Sequence, residues 1–297
     1  MMRVTHRMVV NRVIANVQRN VGRLEDLQQK IGSGKRIGRP ADDPVATALG
    51  MRLRAQKEQN DQYQRNIESG RLWMQISESA LNDLTAVLQR ARELAVQAAN
   101  DVANAEDRQA IAQEVDALME HVGQLANSSV DVDQHVFGGF QTVGTITPFV
   151  KANDAYTYQG DSGAVERQIG PNSRIQANTP GNVSFTPAFD ALQKLRDGLN
   201  AAGASAQTVA PLIDNVDTAL TAVLATRTEL GARLNQLDHA QQRIEALQVD
   251  VAKALADQED LDFADALTQL ALQEAAYRAS LQSGSRAIVP SLLDFLR

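Results

Sequence analysis

The stretch VNRVIANVQRNVGRLEDLQQKI, residues 10–31, decides the fold because its apolar positions recur every seven residues. The repeat forms two interleaved columns along one side of a helix. They are Val10, Val17, Leu24 and Ile31 in one column and Val13, Asn20 and Leu27 in the other. This spacing is typical of a coiled-coil seam, and asparagine is its one polar member.

The C-terminal end carries the same repeat. Its columns are Phe263, Leu270 and Tyr277, and Leu267, Glu274, Leu281 and Ile288. The apolar members of both ends form the predicted assembly seam, together with Leu292, Leu293 and Phe295 near the end of the chain. A narrow stripe cannot be buried within its own helix, so we expect the two ends to pair with each other, with neighbouring subunits, or with both. An ordinary antiparallel bundle within one chain is the alternative.

Between the ends lie two further heptad-patterned blocks, separated by a stretch rich in Gly, Thr, Pro, Tyr and Phe that begins near Val136. The fold is therefore predicted to be mainly α, a long coiled-coil-like helical bundle formed by both chain ends, with a small β-rich domain inserted in the middle. The predicted parts are a terminal polymerisation domain (1–45 and 252–297), a helical rod domain (46–136 and 204–251) and the β-rich outer domain (137–203).

Within the predicted β-rich domain, Tyr156 and Tyr158 alternate before the turn-like sequence GDSG. Val165, Arg167 and Ile169 alternate after it. Two alternating segments around a Gly-rich turn are typical of a β-hairpin, so we expect these two segments to pair with each other.

Composition excludes several functional classes. The 297-residue chain has a formal net charge of −7, which does not favour binding to phosphate backbones, so nucleic acid is not an expected partner. It has no cysteine, which excludes disulfides and thiolate chemistry. No uninterrupted apolar segment has the length of a membrane span or of a signal-peptide core, so we expect no membrane insertion.

The candidate chemical sites lack the residues that their chemistry requires. The four histidines, His6, His121, His135 and His239, are far apart and lack metal-ligand spacing. Asp131 and Asp133 resemble part of a calcium loop, but Val136 and Thr142 stand where such a loop needs Gly and Glu. The sequence therefore predicts no catalytic, cofactor-binding or metal site, and no enzyme.

The sequence IGSGKRIG, residues 31–38, has glycines and a lysine but no preceding strand, so helix capping accounts for it better than phosphate binding does. Asp43 and Pro44 fit an N-cap followed by the first helical residue, which is the helix cap that we predict here. Arg227 occupies a seam position among leucines, so its guanidinium must reach solvent or meet a carboxylate.

A family resemblance rests on three segments. The sequence QQKIGSGKRIGRPADDPVATALGMRLRAQ, residues 28–56, resembles the N-terminal signature of flagellins and hook-associated proteins. The segments TRTELGARLNQLDHAQQRIEAL and EDLDFADALTQLALQEAAYRASLQSGSRAIVPSLLDFLR are similar to the C-terminal helices of the same family. Within that family, the prolines of RPADDP and the segment YTYQGDSGAVERQIGPNSRI are similar to the type that joins hook and filament.

The resemblance implies a location and a set of partners. The chain would be a secreted protein of the bacterial flagellum, located at the hook–filament junction and exported unfolded through the flagellar type III channel. Its partners would be copies of itself, an adjacent hook-associated protein, flagellin on the filament side, and a cytoplasmic export chaperone at the C-terminal helix. The terminal helices would assemble by coupled folding, since neighbours supply the facing surfaces.

Two other functional readings remain open at this point. Filament flagellin is the alternative within the family. A soluble coiled-coil binding module, with a ligand-recognising β insert, is the alternative of a different class. An enzyme hidden in the insert is a third reading, but the insert has no histidine and no acid cluster with a base.

Asp43→Ala should lower helix stability by about 1 kcal/mol, because the first turn loses its N-cap acceptor. Urea unfolding followed by circular dichroism measures this loss. Asp43→Asn is the matched control, since asparagine caps as well as aspartate and should change stability little. A loss several times larger for Asp43→Ala would show that this carboxylate has a role beyond capping.

Overall fold

The computed structural model describes residues 6–100, 104–131, 134–141, 147–152 and 154–288. The chain divides into two compact units. The terminal unit comprises residues 1–59 and 248–297, and the central unit comprises residues 60–247.

The described residues are mainly helical, as predicted. The helices are α1 (His6–Ser33), α2 (Pro44–Ala98), α3 (Ala105–Ala126), α4 (Gly181–Asn200), α5 (Ala206–Glu259) and α6 (Phe263–Ile288). The strands are β1 (Ser129–Asp131), β2 (Gln134–His135), β3 (Phe149–Ala152), β4 (Ala155–Tyr158), β5 (Glu166–Gly170) and β6 (Ser173–Gln176). The helices α2 and α5 contain 55 and 54 residues, so each is long enough to contribute to both units.

Among the described residues, the strands form three separate antiparallel pairs, β1 with β2, β3 with β4, and β5 with β6. The expected pairing across GDSG is therefore wrong, because β4 and β5 each pair with a different strand. The GDSG segment instead folds back on the chain near Phe140. Asp161 Oδ1 accepts hydrogen bonds from the amides of Phe140 and Gly163, each at 2.7 Å, and the Tyr158 hydroxyl lies 2.7 Å from the Asp161 carbonyl.

A helix occupies the second half of the stretch that was expected to be β-rich. Gly181–Asn200 form α4, which packs against α3 and β4. Phe185, Leu192 and Leu195 of this helix are fully buried. The β-rich part of residues 137–203 therefore ends before α4, and removing the whole stretch would take away part of the helical core.

The hairpins attach to the helices through aromatic side chains. Tyr156 stacks on Phe189 with ring centroids 4.4 Å apart, and Phe149 contacts Phe189 at 5.2 Å. A Cβ added at Gly123 would lie 2.6 Å from the Tyr156 ring, so glycine at this position of α3 allows the ring to lie flat against the helix. Such aromatic contacts contribute beyond the area that they bury.

The seam arginine of α5 meets a carboxylate, which was one of its two expected outcomes. Arg227 Nη2 and Nε donate to Glu78 Oε1 at 2.7 and 3.0 Å, and Arg227 Nη1 lies 3.3 Å from Thr85 Oγ1. A charge pair in a helical seam is satisfied in one register only, so it favours one alignment of α2 and α5 more than it adds to stability.

Leu192→Ala should lower the free energy of unfolding of the central unit by about 2–5 kcal/mol, because it leaves a cavity in a packed core. Val183→Ala on the same helix is the matched control, since Val183 is 53% exposed. Urea unfolding of both variants measures the difference. Equal effects of the two substitutions would contradict the assignment of α4 to the core.

Candidate functional site

The helices α1 and α6 of the terminal unit pack against each other in antiparallel orientation. The Gln273 side chain donates to the Asn20 carbonyl at 3.3 Å, in the middle of the pair. Towards one end, the Leu261 amide donates to the Gly34 carbonyl at 2.9 Å. Towards the other end, Gly284 lies against Val13. The two chain ends therefore do pair with each other, which was one of the arrangements left open.

All predicted seam residues of α1 lie on the side that contacts α6, and all are half-buried. They are Val10, Val13, Val17, Leu24, Leu27 and Ile31, with Asn20 between them. No described side chain of α1 is fully buried. The helix therefore shields its stripe on one side and leaves part of it in contact with solvent.

The side of α6 that contacts α1, its inner face, differs from the predicted columns. Its buried and half-buried residues are Ala266, Leu270, Gln273, Glu274, Tyr277, Ser280 and Gly284, and all of these except Glu274 follow a spacing of four and three positions. Leu270 and Tyr277 belong to a predicted column. In the other predicted column, Leu267 and Leu281 directly follow Ala266 and Ser280 in the chain. These two leucines are 54% and 44% exposed.

Close approach of the helix backbones accounts for this difference. Gly284 is buried, and a Cβ added there would lie 2.6 Å from Val13 Cγ1. Ala266 and Ser280 are also small, so at these positions α1 can come closer to α6 than leucine side chains there would permit. The larger apolar residues Phe263, Leu267 and Leu281 are left on an outer stripe beside the contact, and Phe263 is 51% exposed.

The rest of the predicted seam lies at or beyond the end of α6. Ile288 is the last residue of that helix. Leu292, Leu293 and Phe295 lie outside the described residues.

A groove of about 350 Å³ runs between α1 and α6 at this end of the pair. It is lined mainly by apolar side chains of Val13, Ile14 and Val17 on one side and Leu281 on the other. Ile14 is itself 46% exposed. Leu281 thus belongs both to the groove and to the outer stripe.

The opposite end of the pair is closed by two short turns, Gly34–Arg36 after α1 and Glu259–Leu261 before α6, which we call the clasp. The Arg36 amide donates to the Glu259 carbonyl at 2.7 Å, and Lys35 pairs with Asp260 as an antiparallel bridge. Gly34 has φ +70°, a left-handed conformation that ends α1 and that glycine adopts without strain.

Glu259 is the buried charged residue of the clasp. Its carboxylate lies 3.1 Å from Lys35 Nζ and 2.6 Å from Arg54 Nη2. Burial opposes its ionisation, but the hydrogen bonds from Arg54 and Lys35 outweigh burial and hold the pKa of Glu259 below its ordinary value of 4.5. Sequence analysis missed this residue. The signal was an acid at the C-terminal end of a helix, where the helix dipole disfavours negative charge.

The predicted helix cap lies in the same unit. Asp43 Oδ1 accepts a hydrogen bond from the Ala46 amide at 2.9 Å, and Pro44 is the first residue of α2. Asp42 Oδ2 accepts from the amides of Arg39 and Gly38 at 2.9 and 3.2 Å. Both carboxylates therefore bind backbone amides.

Other kinds of site find no support in the part of the chain that the structure describes. No group of three or more His, Cys, Asp or Glu residues there could hold a metal ion, and Asp133 of the rejected calcium loop lies outside it. Over the same residues, no helix has both the length and the apolar character needed to cross a bilayer.

Comparison with known proteins points in one direction. The family model of the bacterial flagellin N-terminal helical region matches residues 4–142, and that of the C-terminal helical region matches residues 213–296. The flagellar hook-associated protein 3 of Escherichia coli is 24% identical over 86% of this chain and 87% of its own length. The flagellar filament 30.7 kDa core protein of Treponema maltophilum is 30% identical over 71% of this chain and 70% of its own length.

The fold is also similar to that of solved structures. The flagellar junction protein FlgL of Legionella pneumophila superposes with a TM-score of 0.58 and 18% sequence identity. The match covers 72% of this chain and all of that one.

Gly284→Ala should weaken the pairing of α1 and α6, because the added methyl group would push Val13 away. It should do so although alanine favours a helix over glycine by about 1 kcal/mol. Gly22→Ala in α1 is the matched control, since a Cβ there meets nothing within 4 Å and should strengthen the helix. Hydrogen exchange of the α1 and α6 amides measures both effects. Equal protection gains in the two variants would contradict the close contact at Gly284.

Proposed function

The chain belongs to the bacterial flagellin family and is a structural component of the flagellum rather than an enzyme. We propose that it joins hook and filament by polymerising through its terminal helices. The observation that carries this proposal is the exposed apolar surface of the α1–α6 pair. Its partners in this role are copies of itself, a hook-associated protein on one side and flagellin on the other.

The terminal unit has little core of its own. Its buried apolar side chains, among the described residues, are Ala46, Val251 and Ala266. The central unit, by contrast, buries large residues such as Trp73, Leu84 and Phe185. Ordering each residue costs about 1–2 kcal/mol in backbone entropy. A unit with so small a core therefore gains most of its stability from surfaces that neighbours supply.

The outer stripe and the groove are the surfaces of this chain that neighbours would cover. Phe263, Leu267, Leu281 and Ile14 are each about half exposed in the single chain. Fully burying a side chain of this size contributes about 1.5–3 kcal/mol. Neighbouring copies that cover these residues would thus couple the folding of the terminal helices to assembly, while the central unit stays folded throughout.

The position at the junction is supported by likeness to junction proteins and by the RPADDP sequence. The E. coli relative is a hook-associated protein, and the Legionella structure is that of a junction protein. Export through the type III channel and binding of the C-terminal helix by a cytoplasmic chaperone belong to the same proposal. A terminal unit with a small core is suited to binding by a chaperone, since unfolding it exposes little that was buried.

Filament flagellin is the second candidate, favoured by the likeness to the Treponema filament protein. The two candidates differ in where the protein lies on the flagellum. Immunogold labelling with antibodies against the purified chain separates them. Label confined to the hook–filament boundary supports the junction, whereas label along the whole filament supports flagellin.

Leu281→Asp should abolish the boundary label, because assembly would bury an unpaired carboxylate in the seam. The thermal unfolding of the free protein should change little, since Leu281 is already 44% exposed. Electron microscopy of flagella from a deletion strain that expresses each variant measures incorporation.

Leu272→Asp is the matched control on the same helix. Leu272 is 67% exposed and lies nine residues from Leu281, which places it on the opposite side of α6. This variant should be incorporated normally. Normal incorporation of Leu281→Asp would show that the outer stripe is not an assembly surface.

A further inference from the structure

One of the two side-chain series that α6 presents to α1 does little to fix their register. This series is Ala266, Gln273 and Ser280, whose members are small or polar and lie seven positions apart, so a slide of one heptad, about 10 Å, would exchange one for another. The other series, Leu270, Tyr277 and Gly284, is less tolerant, because a slide would bring Tyr277 towards Val13, which now lies against Gly284. A contact outside this seam can therefore add to the alignment of the two helices.

The clasp is placed to do so. The Arg36 amide bonds to the Glu259 carbonyl, and the Leu261 amide bonds to the Gly34 carbonyl. Since α6 begins at Phe263, a slide of α6 along α1 would break both hydrogen bonds.

The Glu259 side chain adds a contact that depends on register. Its buried carboxylate is shared by Lys35, which follows α1, and Arg54, which belongs to α2. The nearby charged groups are Arg36, whose Nη2 donates to the Gln258 carbonyl at 2.9 Å, and exposed Asp260. A slide that carried Lys35 away would leave a buried carboxylate with one partner fewer, which proteins tolerate poorly.

Space for this carboxylate is provided by a glycine. A Cβ added at Gly50 of α2 would lie 2.8 Å from Glu259 Oε1, the oxygen that contacts Arg54. Any larger residue there would meet this carboxylate and require it to shift.

We propose that Glu259 is a positioning residue that sets the register of α1 against α6 through Lys35 and Arg54. In this register Ile14 and Leu281 line one groove, and in a slid pair they are separated by about two helical turns. The consequence for assembly rests on the proposed function, but the register itself is a property of the free chain.

The absence of cysteine from the natural sequence allows a direct test by disulfide trapping. Asn20→Cys with Gln273→Cys reports the observed register. Asn20→Cys with Ser280→Cys, and Asn20→Cys with Ala266→Cys, report slides of one heptad in either direction. We expect the first pair to form the disulfide in the full-length protein and the other two to form little. Trapping also captures pairs that open and close rapidly.

Glu259→Gln should lower the ratio of observed-register to slid disulfide by about tenfold or more, because it removes the charge that Lys35 and Arg54 share. Gly50→Ala should lower the ratio in the same direction, although alanine favours helix formation in α2. Asp257→Asn is the matched control, since it removes the same charge from an exposed position of α5 and should leave the ratio unchanged.

Circular dichroism and urea unfolding of each variant show that the central unit remains folded. An unchanged disulfide ratio in both Glu259→Gln and Gly50→Ala would overturn the inference, as would failure of the Asn20–Gln273 cysteine pair to form in the parent protein. A changed ratio supports the inference even if no label appears at the hook–filament boundary. That second result would count against the proposed function alone.

Discussion

The close approach of α1 to the inner face of α6 is the contact on which the terminal unit depends. It is possible because Ala266, Ser280 and Gly284 are small, and it takes up the half-buried stripe of α1. The same closeness leaves Leu267 and Leu281 outside the contact, where they remain exposed. One packing choice thus gives the pair both an internal seam and exposed apolar side chains outside it.

The central unit meets a different requirement, because it must keep its structure whether or not the ends are assembled. Its core contains large fully buried residues from α2, α3, α4 and α5, among them Met74, Met119 and Leu237. The pair Arg227–Glu78 favours one alignment of two long helices, and Tyr156 fits over Gly123 to seat a hairpin. Stability and alignment are therefore supplied by separate groups in this unit.

Sequence patterns predicted the long helices because apolar residues at heptad spacing fall on one face of a helix, whereas a strand would scatter them over both of its faces. The α1 columns and the cap at Asp43 followed from local rules, whereas the same rules left Arg227 with either solvent or a carboxylate as its partner. The second column of α6 did not follow from these rules. A pattern of large apolar residues predicts Leu267 and Leu281 in the contact, whereas the close approach of the backbones places Ala266 and Ser280 there. The helix α4 was missed because Gly181, Thr186 and Pro187 in its first turns disfavour helix formation, and burial of its phenylalanines overrides that preference. The clasp depends on residues more than 200 positions apart, which local patterns do not relate.

The separation of the strands into independent pairs has a practical consequence for protein engineering. The turn between β5 and β6 consists of Pro171 and Asn172, whose side chains are exposed, while Gly170 and Ser173 on either side remain paired. The hydrogen bonds of β3 and β4 do not involve this turn. Since the entropy cost of a longer loop rises only slowly with its length, a foreign peptide inserted between Pro171 and Asn172 would leave the helical core intact. The turn is thus a permissive position for peptide display.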